Sequence, residues 1–300
     1  MGDKPGLRPD GQVGAALAAA ARDILGEART AIDEGATPDA VAVHEFRKAM
    51  KRWRALMRLL EPTAGSEAER LRLEARDLAR ELAEARDGQA ALDALADLSK
   101  GEGATLSERS LASVRSRIEQ IKQAAETTTL TDAVRGRVRA TLDAAAETLQ
   151  TWPLDRVSFA EVAGGLADNY ARARRAMPPE WSRAEPEDLH ELRQRVVVHR
   201  YQMELVVPLW PRFGKVWTGE AQRLRERLGA CQDDTVLAGL TRPRAPLARW
   251  RSRLLPLIEA RRAAHVAAAA RLAARLFAER PKAFRHRLEA LWESREPADA

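Results

Sequence analysis

Two stretches of this chain match each other at one constant spacing, and long-period self-similarity of this kind is built most simply from paired units that pack on one another. VHEFRKAMKRWRALM, beginning at Val43, aligns with LHELRQRVVVHRYQM, beginning at Leu189. His44 then pairs with His190, Arg47 with Arg193, Arg54 with Arg200 and Met57 with Met203, an offset of 146. LARELAEARD, from Leu78 to Asp87, aligns with LRERLGACQD, from Leu224 to Asp233, at the same offset. Abundant Leu, Ala and Arg could produce one such match by chance, but two in one register point to duplication. The chain reads as a single domain over residues 1–300, with half-repeats at 12–150 and 157–293 that meet near residue 152.

Each half is predicted to be helical. Runs of alternating β-branched and polar residues are nearly absent, and no Asn-Gly or Asp-Gly hairpin turn separates such runs. Apolar residues recur instead at helical spacing near 12–34, 39–60, 66–98 (interrupted around Asp87-Gly88), 107–128 and 131–150. A second series lies near 157–177, 186–207, 212–231, 245–279 and 281–293, with Pro208, Pro211, Pro243 and Pro281 at its breaks or starts. Linkers are expected at Thr63–Ser66, Gly101–Thr105 and Pro178–Glu187. The fold class is therefore all-α, as two antiparallel helical bundles.

A single cysteine, Cys231, excludes an intramolecular disulfide framework and a Cys-rich zinc site, and reads as a small packed side chain. No stretch approaches the ~20 apolar residues that span a bilayer, and MGDKPGLRPD lacks the apolar core of a signal peptide. A soluble cytoplasmic protein is the expectation. The formal charge of +6 suggests an anionic partner only where cations concentrate on particular faces.

Such a concentration occurs on the first matched helix. At 100° per residue, His44, Arg47, Lys48, Lys51 and Arg58 share one face, with Arg52 and Arg54 at its margins. Phe46, Met50, Trp53, Met57 and Leu60 form the opposite, core-facing stripe. No acid follows Glu45 until Glu61. Like charges at i,i+4 spacing cost a few tenths of a kcal/mol per pair, so this face loses stability unless an anion relieves it. The second helix is sparser. His190, Arg193 and Arg200 lie toward a corresponding face and Tyr201 adds a hydroxyl, but Gln194 and Val197 stand where Lys48 and Lys51 stand.

For the two leading histidines, metal ligation lacks an HExxH pattern, a Cys partner or a second His at ligand spacing, and a catalytic base has no supporting partner. A phosphate-contacting donor near a helix N-terminus fits best. His199, His265 and His286 are assigned to packing or surface. Arginine offers bidentate geometry and lysine a mobile point charge, which suits a flexible phosphate polymer better than one small ligand.

His44-x-x-Arg47-Lys48-x-x-Lys51-Arg52-x-Arg54 resembles the first motif of the CHAD (conserved histidine α-helical domain) family, and His190-x-x-Arg193 with Arg200-Tyr201 resembles the second. Leu82-x-x-x-Arg86-Asp87 and Leu228-Gly229-x-x-Gln232-Asp233 resemble its two helix-end signatures. The resemblance implies bundles related by a pseudo-two-fold, with basic helices lining a central groove or pore that binds inorganic polyphosphate, and association with polyphosphate granules and proteins on them. By position it implies a ligand set of His44, Arg47, Lys48, Lys51, Arg52, Arg54 and Arg58, and of His190, Arg193, Arg200 and Tyr201. Arg72, Arg76, Arg80, Arg223 and Arg227, on neighbouring helices, and Arg174, in a Tyr-x-x-x-Arg pattern with Tyr170, are additional candidates or else surface arginines paired with nearby glutamates. Asp87 and Asp233 are expected to be helix-end partners of an arginine or backbone donor.

No catalytic residue, cofactor or metal is expected. Neither the ExExK strand motif of triphosphate hydrolases nor a GxxxxGK[ST] loop is present, so an enzyme or accessory factor of polyphosphate metabolism is the alternative rather than the expectation. A nucleic-acid binder is disfavoured because Trp53 falls on the apolar face instead of offering a stacking surface. A scaffold recruiting protein partners is the third alternative.

Overall fold

The computed structural model describes residues 6–33, 37–82, 86–100, 106–125 and 130–294. Residues 83–85, the Gly101–Thr105 linker and the side chains of Arg86 and Asp87 lie outside the described residues, and with them most of the first helix-end signature. Among the described residues there are ten α-helices and no strand: α1 (Val13–Asp33), α2 (Asp39–Glu81), α3 (Arg86–Leu98), α4 (Glu108–Ala125), α5 (Asp132–Gln150), α6 (Phe159–Arg175), α7 (Pro186–Val206), α8 (Pro211–Leu240), α9 (Arg251–Leu276) and α10 (Pro281–Glu293).

The starts have local causes. Proline opens α7, α8 and α10, where its missing N–H costs nothing. Ser158 and Glu161 form a reciprocal capping box on α6, and Thr131 accepts the Val134 N–H at the start of α5. Asp39, the first residue of α2, reaches across to α5, accepting from the Leu130 N–H at 2.9 Å and from Arg135 at 3.0 Å.

The expected Thr63–Ser66 linker is the point where α2 reverses. Pro62 lies inside the helix and Gly65 takes φ 58°, ψ −136°, a backbone conformation open to glycine. The two arms of α2 fold back on each other, so that Glu61 meets Arg72 at 2.5 Å and Met50 and Trp53 face Leu71, Ala75 and Leu78. The predicted apolar stripe, Phe46, Met50, Trp53, Met57 and Leu60, is buried throughout.

Two boundaries differ from expectation. Helix α8 runs on to Leu240 instead of ending near 231, because Leu228, Cys231 and Leu237 continue its buried face and no breaker occurs before Pro243. Asp233 is accordingly inside the helix, not a helix-end partner. Helix α9 starts at Arg251, six residues later than the predicted 245, after a turn-rich connection closed by the Leu247 N–H donating to the Leu240 carbonyl at 2.9 Å.

The core has two parts. The larger gathers α1, α2, α5, α6, α7, α10, the first part of α8 and the later part of α9; the smaller joins α3 and α4 to the end of α8 and the start of α9. Helices from both proposed halves contribute to each part. Helices α2 and α7 pack against each other, and the buried Gln202 donates to the Ala55 carbonyl at 2.9 Å. No helix among the described residues is long and apolar enough to cross a membrane.

Candidate polyanion-binding site

The reversal at Gly65 determines which cations meet. Arg54 and Arg58, on the first arm of α2, point across to Arg72, Arg76 and Arg80 on the second arm. Burial, then the positive charge of those three arginines, pulls the Arg54 guanidinium below its ordinary pKa. Arg58 is pulled down to about 10, first by burial and then by Arg72, with Arg195 of α7 and Arg172 of α6 adding to the effect. The Nε atoms of Arg54 and Arg58 are buried without a hydrogen-bond partner. The acids nearby are already engaged: Glu61 and Glu69 with Arg72, and Asp77 with Arg76 at 2.8 Å. A buried donor left unmade costs about 1–3 kcal/mol, more when charged, so this seam is a place where oxygen anions would be stabilised.

Toward the N-terminus of α2, His44 and Lys48 are exposed, and Arg47 and Lys51 are half-buried. Lys48 bonds Glu45 at 2.9 Å and also lies near Tyr201 of α7. Arg52 stands apart from this face. Its side chain, 10% exposed, turns to α1, where it meets Glu27 and Asp23, the latter at 3.2 Å. A cavity of about 30 Å³ between α1, α2 and α7, lined by Arg52, Leu56, Tyr201 and Glu204 among others, has room for a water or two and not for a chain of phosphates.

On α7 the motif residues are held by α8. His190 Nδ1 and Arg193 Nη1 both approach Gln232 Oε1, at 3.1 and 3.4 Å, and Gln194 reaches the other ring nitrogen of His190 at 2.7 Å. Gly229 lies against the Arg193 guanidinium, where a Cβ would sit in contact with Arg193 Nε at 3.4 Å. The Leu228-Gly229-x-x-Gln232 signature thus seats the His190–Arg193 motif. Arg200 pairs with Glu204 at 2.9 Å and packs over the Tyr201 ring at 4.8 Å. Glu204 occupies the position that, at the 146-residue offset, corresponds to Arg58. Thr218, Gln222 and Glu226 likewise stand where Arg72, Arg76 and Arg80 do. The cationic surface is accordingly strongest on α2 and weaker on α7.

Three further candidates serve other contacts. Arg174 donates to the Phe277 carbonyl at 3.1 Å, and Tyr170, its partner in the Tyr-x-x-x-Arg pattern, donates to the Glu279 carbonyl at 3.1 Å; together they tie α6 to the α9–α10 connection. Arg223 pairs with Glu220 at 2.9 Å. Arg227 donates to His265 Nδ1 at 3.2 Å, which leaves the His265 proton on Nε2, facing Asp97 Oδ2 at 2.8 Å. Asp97 also accepts both arms of Arg261, at 2.6 and 2.8 Å, and hydrogen bonding from Arg261 holds its carboxyl down to about 2. Beside this network Asp234 is 1% exposed, its Oδ2 has no hydrogen-bond partner, and burial together with Asp97 and Asp233 pushes its pKa up to about 7.

Sequence reasoning missed Arg172 and Arg195 beside Arg58, and Gln232 as the group that positions His190 and Arg193. Only the last was visible, as part of a helix-end signature. His199 and His265 are buried and His286 is exposed, as assigned. Cys231 is buried, and burial pushes its thiol up to about 12. Among the described residues no group of three or more His, Cys, Asp or Glu side chains could hold a metal ion.

A family model described as CHAD domain matches residues 15–242. No curated protein matches the chain. Among solved structures the chain is similar to PptA from Streptomyces chartreusis, over 90% of this chain and 100% of that one, with a TM-score of 0.58 and 18% identity. It is also similar to the CHAD domain from the plant Ricinus communis, over 99% of this chain and 98% of that one, with a TM-score of 0.53 and 19% identity. At these identities the likeness shows the fold.

Proposed function

The chain belongs to the CHAD domain family, and from that premise we propose that it binds inorganic polyphosphate, without acting on it chemically, along the cationic seam of α2. The observation that carries this function is the pair Arg54 and Arg58, whose buried Nε atoms lack partners while Arg72, Arg76, Arg80, Arg172 and Arg195 press on them with like charge. Phosphate oxygens accept bidentate bonds from such guanidinium groups. His44, Arg47, Lys48 and Lys51 extend the contact along the same arm, and His190 and Arg193, seated by Gln232, supply the contact from α7. Exposed single pairs are worth only ~0–1 kcal/mol each, so affinity requires a polymer that engages several at once. Association with polyphosphate granules follows from the same binding.

The half-repeat organisation belongs to this reading. It is supported by helix starts that correspond near the 146-residue offset, Val13 with Phe159 and Asp39 with Pro186, and by the contact of α2 with α7. The test is polyphosphate binding by wild type and by Arg54→Ala/Arg58→Ala over a salt series. The variant is expected to bind at least ten-fold more weakly, with a salt slope smaller by about 1–2, by analogy with counterion release from nucleic acids. Unchanged affinity would remove the α2 seam as the site. Release of phosphate from the polymer by wild type would overturn the non-catalytic assignment.

A further inference from the structure

A second concentration of positive charge lies on the connection between α8 and α9 and on the first turn of α9, largely beyond the residues that the family model matches. Arg242, Arg244, Arg249, Arg251 and Arg253 fall within twelve residues, and no acid occurs between Asp234 and Glu259. All five are exposed. Arg242, Arg244 and Arg253 have no ion-pair partner among the described residues. Exposed Arg70, Arg183, Arg223 and Arg285 each pair with an acid three or four residues away; these three have none within reach.

The connection is ordered by its own contacts. The Ala245 N–H donates to the Arg242 carbonyl at 3.0 Å and the Leu247 N–H to the Leu240 carbonyl at 2.9 Å. Leu247 and Trp250 are anchored in the smaller core. Arg249 lies over the Trp250 ring at 3.7 Å, and Arg251 donates to the Thr241 carbonyl at 3.4 Å. Arg244 holds φ 66°, the one non-glycine residue with positive φ among those described. Such backbone is strained for a side chain of this kind and concentrates at functional positions. A backbone already ordered at this turn does not have to be ordered when a ligand binds.

The position suits an extension of the main site. Gln232, which seats His190 and Arg193, is eight residues before Leu240 on the same helix, so the connection begins about 12 Å farther along α8 at 1.5 Å per residue. The recognition chemistry is that of phosphate oxygens rather than bases, because Trp250 is buried with Arg249 across its face and offers no ring for stacking.

We propose that the Arg242–Arg253 segment, the α8–α9 connection with the first turn of α9, is a second anchoring site for the same inorganic polyphosphate chain, reached only by chains long enough to run past the His190–Arg193 cluster. This rests on the polyphosphate-binding function above. Two linked contacts on one polymer raise avidity without any new contact within either.

The test uses the full chain, with long polyphosphate, a short oligophosphate and a structured RNA as probes. Arg242→Gln/Arg244→Asn/Arg253→Gln removes the three unpartnered charges, Asn being tolerated at positive φ and Arg249 and Arg251 being left to hold the turn. Long-chain affinity is expected to fall roughly ten-fold, with the salt slope smaller by about 2–3, while short-chain affinity stays at the wild-type value. The corresponding triple lysine variant, which keeps the charge, is expected to retain the wild-type slope. Equal losses for long and short chains, no loss for either, or a loss confined to RNA would overturn the second anchor. Failure of wild type to bind any polyphosphate would instead overturn the function on which it rests.

Discussion

Asp234 allows the energetics of the smaller core to be tested with one atom-for-atom exchange. Its carboxyl is 1% exposed, its Oδ2 is without a hydrogen-bond partner, and its pKa stands at about 7 against an ordinary 3.8. A folded-state pKa above the unfolded one means that the native protein holds this proton more tightly, so stability is lost as pH rises from about 4 through about 7. Ionising a group raised from 3.8 to about 7 costs the native protein about 4 kcal/mol above pH 8, of which less than about 2 kcal/mol is already present at pH 5. Asp234→Asn removes the titration while nearly preserving shape. The amide brings its own pH-independent hydrogen-bonding cost of about 1–3 kcal/mol, so the informative quantity is a difference. Urea unfolding at pH 5 and pH 8 should show the variant gaining about 2–3 kcal/mol on wild type between the two conditions, read from the midpoints if the m-values agree. A variant-to-wild-type difference that is the same at both pH values would refute the assignment of Asp234 as a buried carboxyl that keeps its proton to about pH 7.

The same physics yields three other outcomes. Arg58→Met should raise the melting temperature in the absence of polyphosphate, by the equivalent of about 1 kcal/mol, since it exchanges a partly buried unpaired charge for apolar volume, and should reduce the stabilisation that polyphosphate gives in the same melt. His199, buried and pulled down to about 3 chiefly by desolvation, accepts from Trp217 at 2.9 Å; its contribution is fully present above pH 6.5 and lost as pH falls toward 3. His199→Gln should therefore flatten the acid side of the stability curve by up to about 1.4 kcal/mol per pH unit in that window. Gly14→Ala would place a Cβ against the Leu154 carbonyl, where α1 meets the connection from α5 to α6, and should cost about 2–3 kcal/mol in chemical denaturation.

The helices and the buried stripe of α2 were legible because proline starts and apolar spacing are local signals. Phe46, Met50, Trp53, Met57 and Leu60 lie where a 100° wheel puts them. Arg52 was not legible in the same way: the wheel puts it at the margin of a cationic face, and only the approach of α1, with Glu27 and Asp23, reveals that its charge is met. The Arg54–Arg58 seam depends on the reversal at Gly65, which brings Arg72, Arg76 and Arg80 from a distant stretch of sequence to the opposite side of the same element. The continuation of α8 past Asp233 had a visible signal in Leu228, Cys231 and Leu237, outweighed by reading Gln232-Asp233 as a terminus. The weaker cationic character of α7 was partly visible too, in Gln194 and Val197, but the pairing of Glu204 with Arg200 shows how far that surface is neutralised.

The hairpin in α2 has a mechanical consequence. Its arms are joined by a short glycine hinge and carry mutual repulsion across their facing sides, so the element behaves as a clasp under tension, kept shut by its apolar contacts and by the Glu61–Arg72 pair. Counter-ions settling between the arms relax that tension, and the clasp stiffens in proportion to how many of its guanidinium groups are engaged at one time.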